Sequence, residues 1–407
     1  MIMKINDSLK ICVVGLGYIG LPTAAVLGSR GYRVHGVDIN PRSVEIINSG
    51  KAHIVEPDLD ILVRAAVTTG NLTAYTEPAE SDIFMICVPT PLGQDNKPNL
   101  DYICAATESI VPILRSGDLV ILESTSPPGT TEMIESIVLE KSDFQKGDVF
   151  FAHAPERVLP GKILREVVEN DRIIGGVDDL STEKACDFYS SFVSGELLRT
   201  DSRTAETAKL VENAYRDTNI AFANELSFFC EKMDLNVWEL IRLANHHPRV
   251  NVLNPGPGVG GHCIAVDPWF LVDCAPEVTR LIRTARDVNE AKPNWVVERV
   301  IAKAERFKNP TIACLGLAYK PDIDDMRESP ALKIVEELVL RNVGKLKIVE
   351  PNLDKYSDLD LVSLNEAIDC ADIVLILVGH RSFLSLPSGK LAEKIIIDTC
   401  GITGTER

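Results

Sequence analysis

Nowhere in this chain of 407 residues do 18 apolar residues run together, so no membrane span is expected. The opening segment, residues 1–10, lacks the long apolar stretch of a signal peptide, and no secretory leader is expected. Also missing is any long run of Lys or Arg: 42 basic residues stand against 59 acidic ones, a formal charge of −17. That balance excludes a basic nucleic-acid patch and makes polyanions poor partners. A phosphate ester would have to be held locally, by helix N-termini and a few placed cations. The ten cysteines lack the paired spacing of a zinc site or a disulfide framework, and Cys12, Cys87, Cys314 and Cys370 lie among apolar neighbours. A reducing cytoplasm and no bound metal are expected.

What is present is the material of a soluble globular protein, 45% hydrophobic and 25% charged, long enough for two or three domains. Residues 11–14 form an apolar run that reads as a buried strand, followed by Gly15, Gly17 and Gly20 and by an Ala-rich helix ending near Gly31. A second strand at 33–37 ends in Asp38, and further strands are expected at 83–88 and 119–123 with helices between them. This alternation is that of a doubly wound parallel sheet, extending to about residue 200. From Arg203 to Met233 neither Pro nor Gly interrupts an amphipathic pattern, which predicts one helix of roughly 30 residues, about 45 Å long. So long a helix joins domains, and its apolar sides make it the candidate core of a homodimer.

Beyond about residue 310 the first pattern returns. Residues 311–316 echo 11–15, 371–378 echo 81–88, and 394–399 echo 118–124, so two α/β halves flank a helical middle. The expected fold is α/β: two Rossmann-like domains, 1–200 and 306–407, joined by a helical segment, 201–305. The second half lacks the glycine fingerprint, since Leu317, Ala318 and Tyr319 follow Gly316, and is expected to take another ligand.

Gly15-x-Gly17-x-x-Gly20 directly after a strand permits a tight turn, close approach of a pyrophosphate and close helix packing. Asp38, 23 residues beyond Gly15, would bind a ribose and repel a 2′-phosphate, which favours NAD over NADP. Val88-Pro89-Thr90-Pro91 and Glu123-Ser124-Thr125 end later strands; each is a turn or a ligand contact, and their shared edge favours the ligand. In the stretch 254–269, four glycines (Gly256, Gly258, Gly260 and Gly261) precede Cys263, and Asp267 follows four residues later. A thiolate there can add to an aldehyde, be oxidised to a thioester and be released by water. The adjacent His262 is a packing residue or a base. Lys209 and Asn213 share a helix face, either solvated or placed to stabilise an oxyanion.

Together these motifs resemble the UDP-glucose/GDP-mannose dehydrogenase family over essentially the whole chain. The residues that carry the resemblance are 15–22, 88–91, Pro155-Glu156-Arg157, 209–213, 256–267 and 316–330. The resemblance implies oxidation of a UDP-sugar by NAD, with Cys263 as nucleophile and Lys209 and Asn213 at the oxyanion. Asp267, Thr125 and Glu156 would then order water and the sugar hydroxyl. For the cofactor it implicates Gly15, Gly17, Tyr18, Ile19, Gly20, Asp38, Arg42, Thr90, Thr125 and Arg327. For the substrate it implicates Glu156, Arg157, Val158, Lys209, Asn213, Arg216, His247, Gly256, Gly260, Tyr319 and Lys320. Arg249 resembles a position that reaches a neighbouring subunit's sugar site, set against a plain surface role. The loops at 156–172 and 239–251 are similar to the N-acetylhexosamine branch of the family. The expected substrate is UDP-N-acetyl-D-mannosamine for surface polysaccharide, with UDP-N-acetyl-D-glucosamine or UDP-glucose as alternatives.

Overall fold

The computed structural model describes residues 9–403 apart from positions 160, 358 and 387, so most of the opening segment lies outside the described residues. The chain divides into two compact units, Met1–Val211 and Glu212–Arg407.

The first unit is built on eight strands: β1 Lys10–Val14, β2 Arg33–Val37, β3 Leu72–Tyr75, β4 Ile83–Ile86, β5 Leu119–Leu122, β6 Phe150–His153, β7 Arg172–Gly176 and β8 Leu197–Asp201. They lie in the order β3-β2-β1-β4-β5-β6-β7-β8. Neighbouring strands are parallel except for β6 and β7. Strands β4 and β5 are four apolar residues each, buried throughout, as a parallel sheet covered on both faces requires. Their side chains alternate between two cores: Met85 and Ile121 enter one, Phe84 and Val120 the other. Strands β1 and β4 pair directly although β2 and β3 intervene in the chain, so the order reverses between them and ligands are favoured at the strand ends there.

Helix Ser202–Lys232 runs for 31 residues and carries the chain from the first unit into the second. The second unit holds helices Asp267–Cys274 and Arg280–Ala304, then β9 Thr311–Leu315, β10 Lys345–Val349, β11 Ile373–Ile376 and β12 Ile395–Asp398. These strands are all parallel, in the order β10-β9-β11-β12. That order reproduces β2-β1-β4-β5, so the repeat seen in the sequence is also a repeat of topology. The match extends to the turns: Gly15 and Gly316 both take φ of 95°, and their N–H groups donate over 2.8 Å to Val37 O and Val349 O. Among the described residues no helix is long and apolar enough to cross a membrane.

Candidate functional site

At the C-terminal edge of the first sheet, the turn after β1 is shaped by what its glycines omit. A side chain on Gly20 would lie 1.8 Å from Gly15 O, so helix Gly20–Ser29 starts hard against the turn. A Cβ on Gly17 would meet nothing within 4 Å, and its backbone faces open space. Ile19 caps the helix without a side-chain bond, and Tyr18 beside it is exposed. Leu21 N already donates to Gly17 O at 3.1 Å and Pro22 has no N–H, so an anion here would be met by the turn backbone that leads into the helix. Asp38 accepts from Asn40 N at 2.9 Å and from Leu16 N at 3.3 Å, which fixes its carboxylate beside the turn. Arg42 is exposed on the next helix. Thr90 Oγ1 is buried without a hydrogen-bond partner among the described residues. A glycine cradle, an acid held at the end of β2 and an unpartnered hydroxyl fit a dinucleotide such as NAD, with its pyrophosphate on the turn and a ribose at Asp38.

Farther along the same edge, Thr125 is half-buried just after β5 and Glu156 is buried just after β6. Glu156 Oε1 accepts from Arg157 N at 2.7 Å, and Oε2 accepts from Arg172 Nη1 at 2.5 Å. The loop beyond it, with half-buried Val158, is clamped from a distance: Glu56 accepts from Gly161 N and Ile163 N, both at 2.8 Å. Lys209 is half-buried on the long helix. Burial, then the charge of Lys209, push the His153 imidazole down to about 3, so it stays neutral. One turn before Lys209, Glu206 accepts from Gly129 N, Thr131 N and Thr131 Oγ1, tying this helix to the start of helix Thr130–Lys141.

In the second unit the glycine-rich stretch brings its neighbours together. Asp267 is buried, and its Oδ2 accepts from Asn213 Nδ2 at 2.6 Å. Cys263 is exposed, and its carbonyl accepts from Val266 N and Asp267 N at the start of helix Asp267–Cys274. Gly256 N donates to Asn224 Oδ1 at 2.9 Å. Asn224 is bonded in turn to Asn289, and Asn289 and Arg286 both bond Asp217 of the long helix. A Cβ on Gly260 would lie 2.6 Å from Glu328 O and 2.8 Å from Tyr319 Cβ, and Gly261 N donates to Arg327 O. The cysteine loop thus packs on the loop that carries Tyr319, exposed Lys320 and Arg327. Arg327 pairs with Asp325 through Nε at 2.9 Å and Nη2 at 2.6 Å. Burial, then the Arg327 charge, lower the His262 imidazole below its ordinary value. Arg216, His247 and Arg249 are exposed, the last two in the turn after helix Val237–Ala244.

The buried supports were not found by reading the sequence. Glu56, Arg172, Glu206, Asn224 and Asn289 meet partners 16 to 107 residues away, and no local motif marks such pairs. The available signal was slight: Arg172 stands where the polar Glu169-Asn170-Asp171 gives way to Ile173 and Ile174.

Residues 9–193, 203–291 and 313–405 match the NAD binding, central and UDP binding domains of the UDP-glucose/GDP-mannose dehydrogenase family. The chain is 55% identical to the UDP-N-acetyl-D-mannosamine dehydrogenase of Campylobacter jejuni, over 95% of this chain and 99% of that one. It is 54% identical to the NDP-N-acetyl-D-galactosaminuronic acid dehydrogenase of Ralstonia solanacearum, over 98% of each. The UDP-D-ManNAc dehydrogenase structure from Pyrococcus horikoshii superposes with a TM-score of 0.88 at 41% identity, covering 97% of this chain and 96% of that one. The chain belongs to the UDP-glucose/GDP-mannose dehydrogenase family and is an NAD-dependent nucleotide-sugar dehydrogenase.

Proposed function

We propose that the chain oxidises C6 of UDP-N-acetyl-D-mannosamine to the carboxylate, with Cys263 holding the half-oxidised sugar covalently. The similarity to mannosamine dehydrogenases over nearly the whole chain supports the substrate. The observation that carries the mechanism is exposed Cys263 four residues before buried Asp267, whose carboxylate is held at 2.6 Å by Asn213.

NAD, when bound, accepts a hydride from C6 in each of two oxidations. Asp267 and the water it orders receive the hydroxyl proton. The Cys263 sulfur then bonds to the aldehyde carbon, and Lys209 and Asn213 donate to the oxyanion that forms. The second oxidation leaves a thioester on the sulfur. Thr125 and Glu156 orient a water that adds to its carbonyl carbon, the C–S bond breaks, and the carboxylate departs as the thiol regains a proton. Tyr319 and Lys320 hold the nucleotide, Arg327 serves the cofactor, and the side chains at 156–158, 216, 247 and 249 serve the sugar. In this scheme residues 1–200 bind NAD, 201–305 carry the nucleophile and 306–407 bind UDP. The enzyme works in the cytoplasm as a homodimer and supplies an acidic sugar for surface polysaccharide.

A second reading, the same chemistry on an N-acetylgalactosamine nucleotide, is favoured by the Ralstonia relative. The covalent step is tested by Cys263→Ser, which should lose turnover by orders of magnitude while NAD affinity is unchanged. Near-normal turnover in that variant would remove the covalent scheme.

A further inference from the structure

Behind the catalytic edge of the first unit, five buried side chains from five elements meet. They are Cys87 after β4, Glu123 after β5, Glu156 after β6, Arg172 at the start of β7 and Tyr189 in helix Asp179–Ser190. Each is at least nine-tenths buried. Arg172 Nη1 lies 2.5 Å from Glu156 Oε2 and 3.8 Å from Glu123 Oε1. Its Nη2 donates to Val167 O at 3.3 Å, and the guanidinium carbon sits 5.3 Å from the centre of the Tyr189 ring. Tyr189 donates to Glu123 Oε1 at 2.5 Å, and Cys87 Sγ to Glu123 Oε2 at 3.3 Å. Burial and the neighbouring Glu123 raise Tyr189 and Cys87 well above their ordinary values, so both keep their protons and serve as donors.

A buried guanidinium shared by two carboxylates is an expensive arrangement unless every group is held in place. Here every group is held. The mechanism above uses only one of the five, Glu156. We propose that Arg172 is a positioning residue that fixes the Glu156 carboxylate in one orientation for thioester hydrolysis, and that Glu123 holds Arg172 in register. This rests on the reading that Glu156 orients the hydrolytic water. The groups facing Glu156 are Arg172 and Glu123, with Cys87 and Tyr189 bonded to Glu123 and the Arg157 N–H on its other oxygen. A Lys ammonium in its place keeps the charge but loses the planar reach of two nitrogens to Glu156 and Val167 O. The Glu156 carboxylate is then free to turn away from the water it orients, and hydrolysis slows while both oxidations proceed.

The test uses the full-length enzyme with NAD and UDP-N-acetyl-D-mannosamine, and compares Arg172→Lys, Glu156→Gln and the double variant. Arg172→Lys should bind NAD as before, change KM by less than about threefold and lower kcat by about tenfold or more. A burst of two NADH per site should precede the slow phase, since both oxidations come before hydrolysis. The double variant should be no slower than Glu156→Gln alone. A wild-type kcat with no burst in Arg172→Lys, or fully additive losses in the double variant, would overturn the inference. If Arg172→Lys does not fold, Glu123→Gln decides in the same way: a burst and a loss not additive with Glu156→Gln support it, and wild-type kinetics overturn it. Wild-type kinetics in Glu156→Gln itself would instead remove the assigned role of Glu156.

Discussion

Asp38 and Glu350 follow the second strand of their respective sheets and cap the corresponding glycine turn, yet they are left in different states. Asp38 is half-buried and accepts two backbone N–H groups, which leaves lone pairs for a ribose. Glu350 is buried and accepts from Leu317 N, Ala318 N, Asn352 N and Asn352 Nδ2, and its Oε2 lies 3.2 Å from His380 Nε2. His380 Nδ1 accepts from Asp322 N, so the ring nitrogen facing Glu350 carries the proton. Every Glu350 oxygen is in use, and the second turn is locked rather than open to a ribose. It follows that Asp38→Ala should weaken NAD by roughly tenfold or more, the worth of a lost hydrogen bond to a charged group. The same change should narrow the preference for NAD over NADP, which titrations of both cofactors would read. The cysteines divide in a similar way. Burial pushes Cys12, Cys314 and Cys400 up to about 12, out of reach as nucleophiles near neutral pH, whereas Cys263 is exposed in a glycine loop.

At the scale of elements, the close seating of the 256–263 loop on the 316–330 loop joins the proposed nucleophile to the residues proposed to hold the nucleotide, within one unit. The contact leaves no room at Gly260, where a Cβ would press on Glu328 O and Tyr319 Cβ. Gly260→Ala should therefore displace the Tyr319 loop and raise the KM for UDP-sugar by at least about tenfold. NAD binding should suffer less, through Arg327 alone, because the glycine turn and Asp38 belong to the other unit. Elements of this kind differed in how legible they were. Strand β2 coincides with its expected bounds because it ends at Asp38, and β9 because its apolar run ends at Gly316. The run at 83–88 continues past β4 because Cys87 and Val88 stay apolar beyond its end, and the one at 119–123 exceeds β5 by Glu123 alone. Strand β8, Leu-Leu-Arg-Thr-Asp, is a sheet-edge strand with no buried residue, so it carries no alternation to detect. The family's motifs were legible because they are contiguous. Their supports, Glu56 with Gly161 or Arg172 with Glu156, exist only once the chain has folded.

At the scale of the whole molecule, the long helix leaves Val211, Tyr215, Phe222 and Phe229 exposed at 49%, 73%, 54% and 52%. At about 100° per residue these four fall within roughly 40° of one another, a single apolar stripe along the helix. Such a stripe supports pairing with a second copy. Phe222→Glu should convert a dimer to monomers in sedimentation velocity, whereas a monomeric wild type or an unaffected dimer would remove this surface from the account. The net charge of −17 gives no general attraction for a nucleotide diphosphate. Binding must therefore be local, and residues 313–405 match a dedicated UDP binding domain in which Lys320 is exposed. The most direct test of the central claim is the amount of NADH formed per mole of limiting UDP-N-acetyl-D-mannosamine, run beside the N-acetylgalactosamine and glucose nucleotides. The account predicts two NADH from the mannosamine nucleotide and little from the others. Two from a different sugar would overturn the substrate, and one, or none from any, would contradict the four-electron course itself.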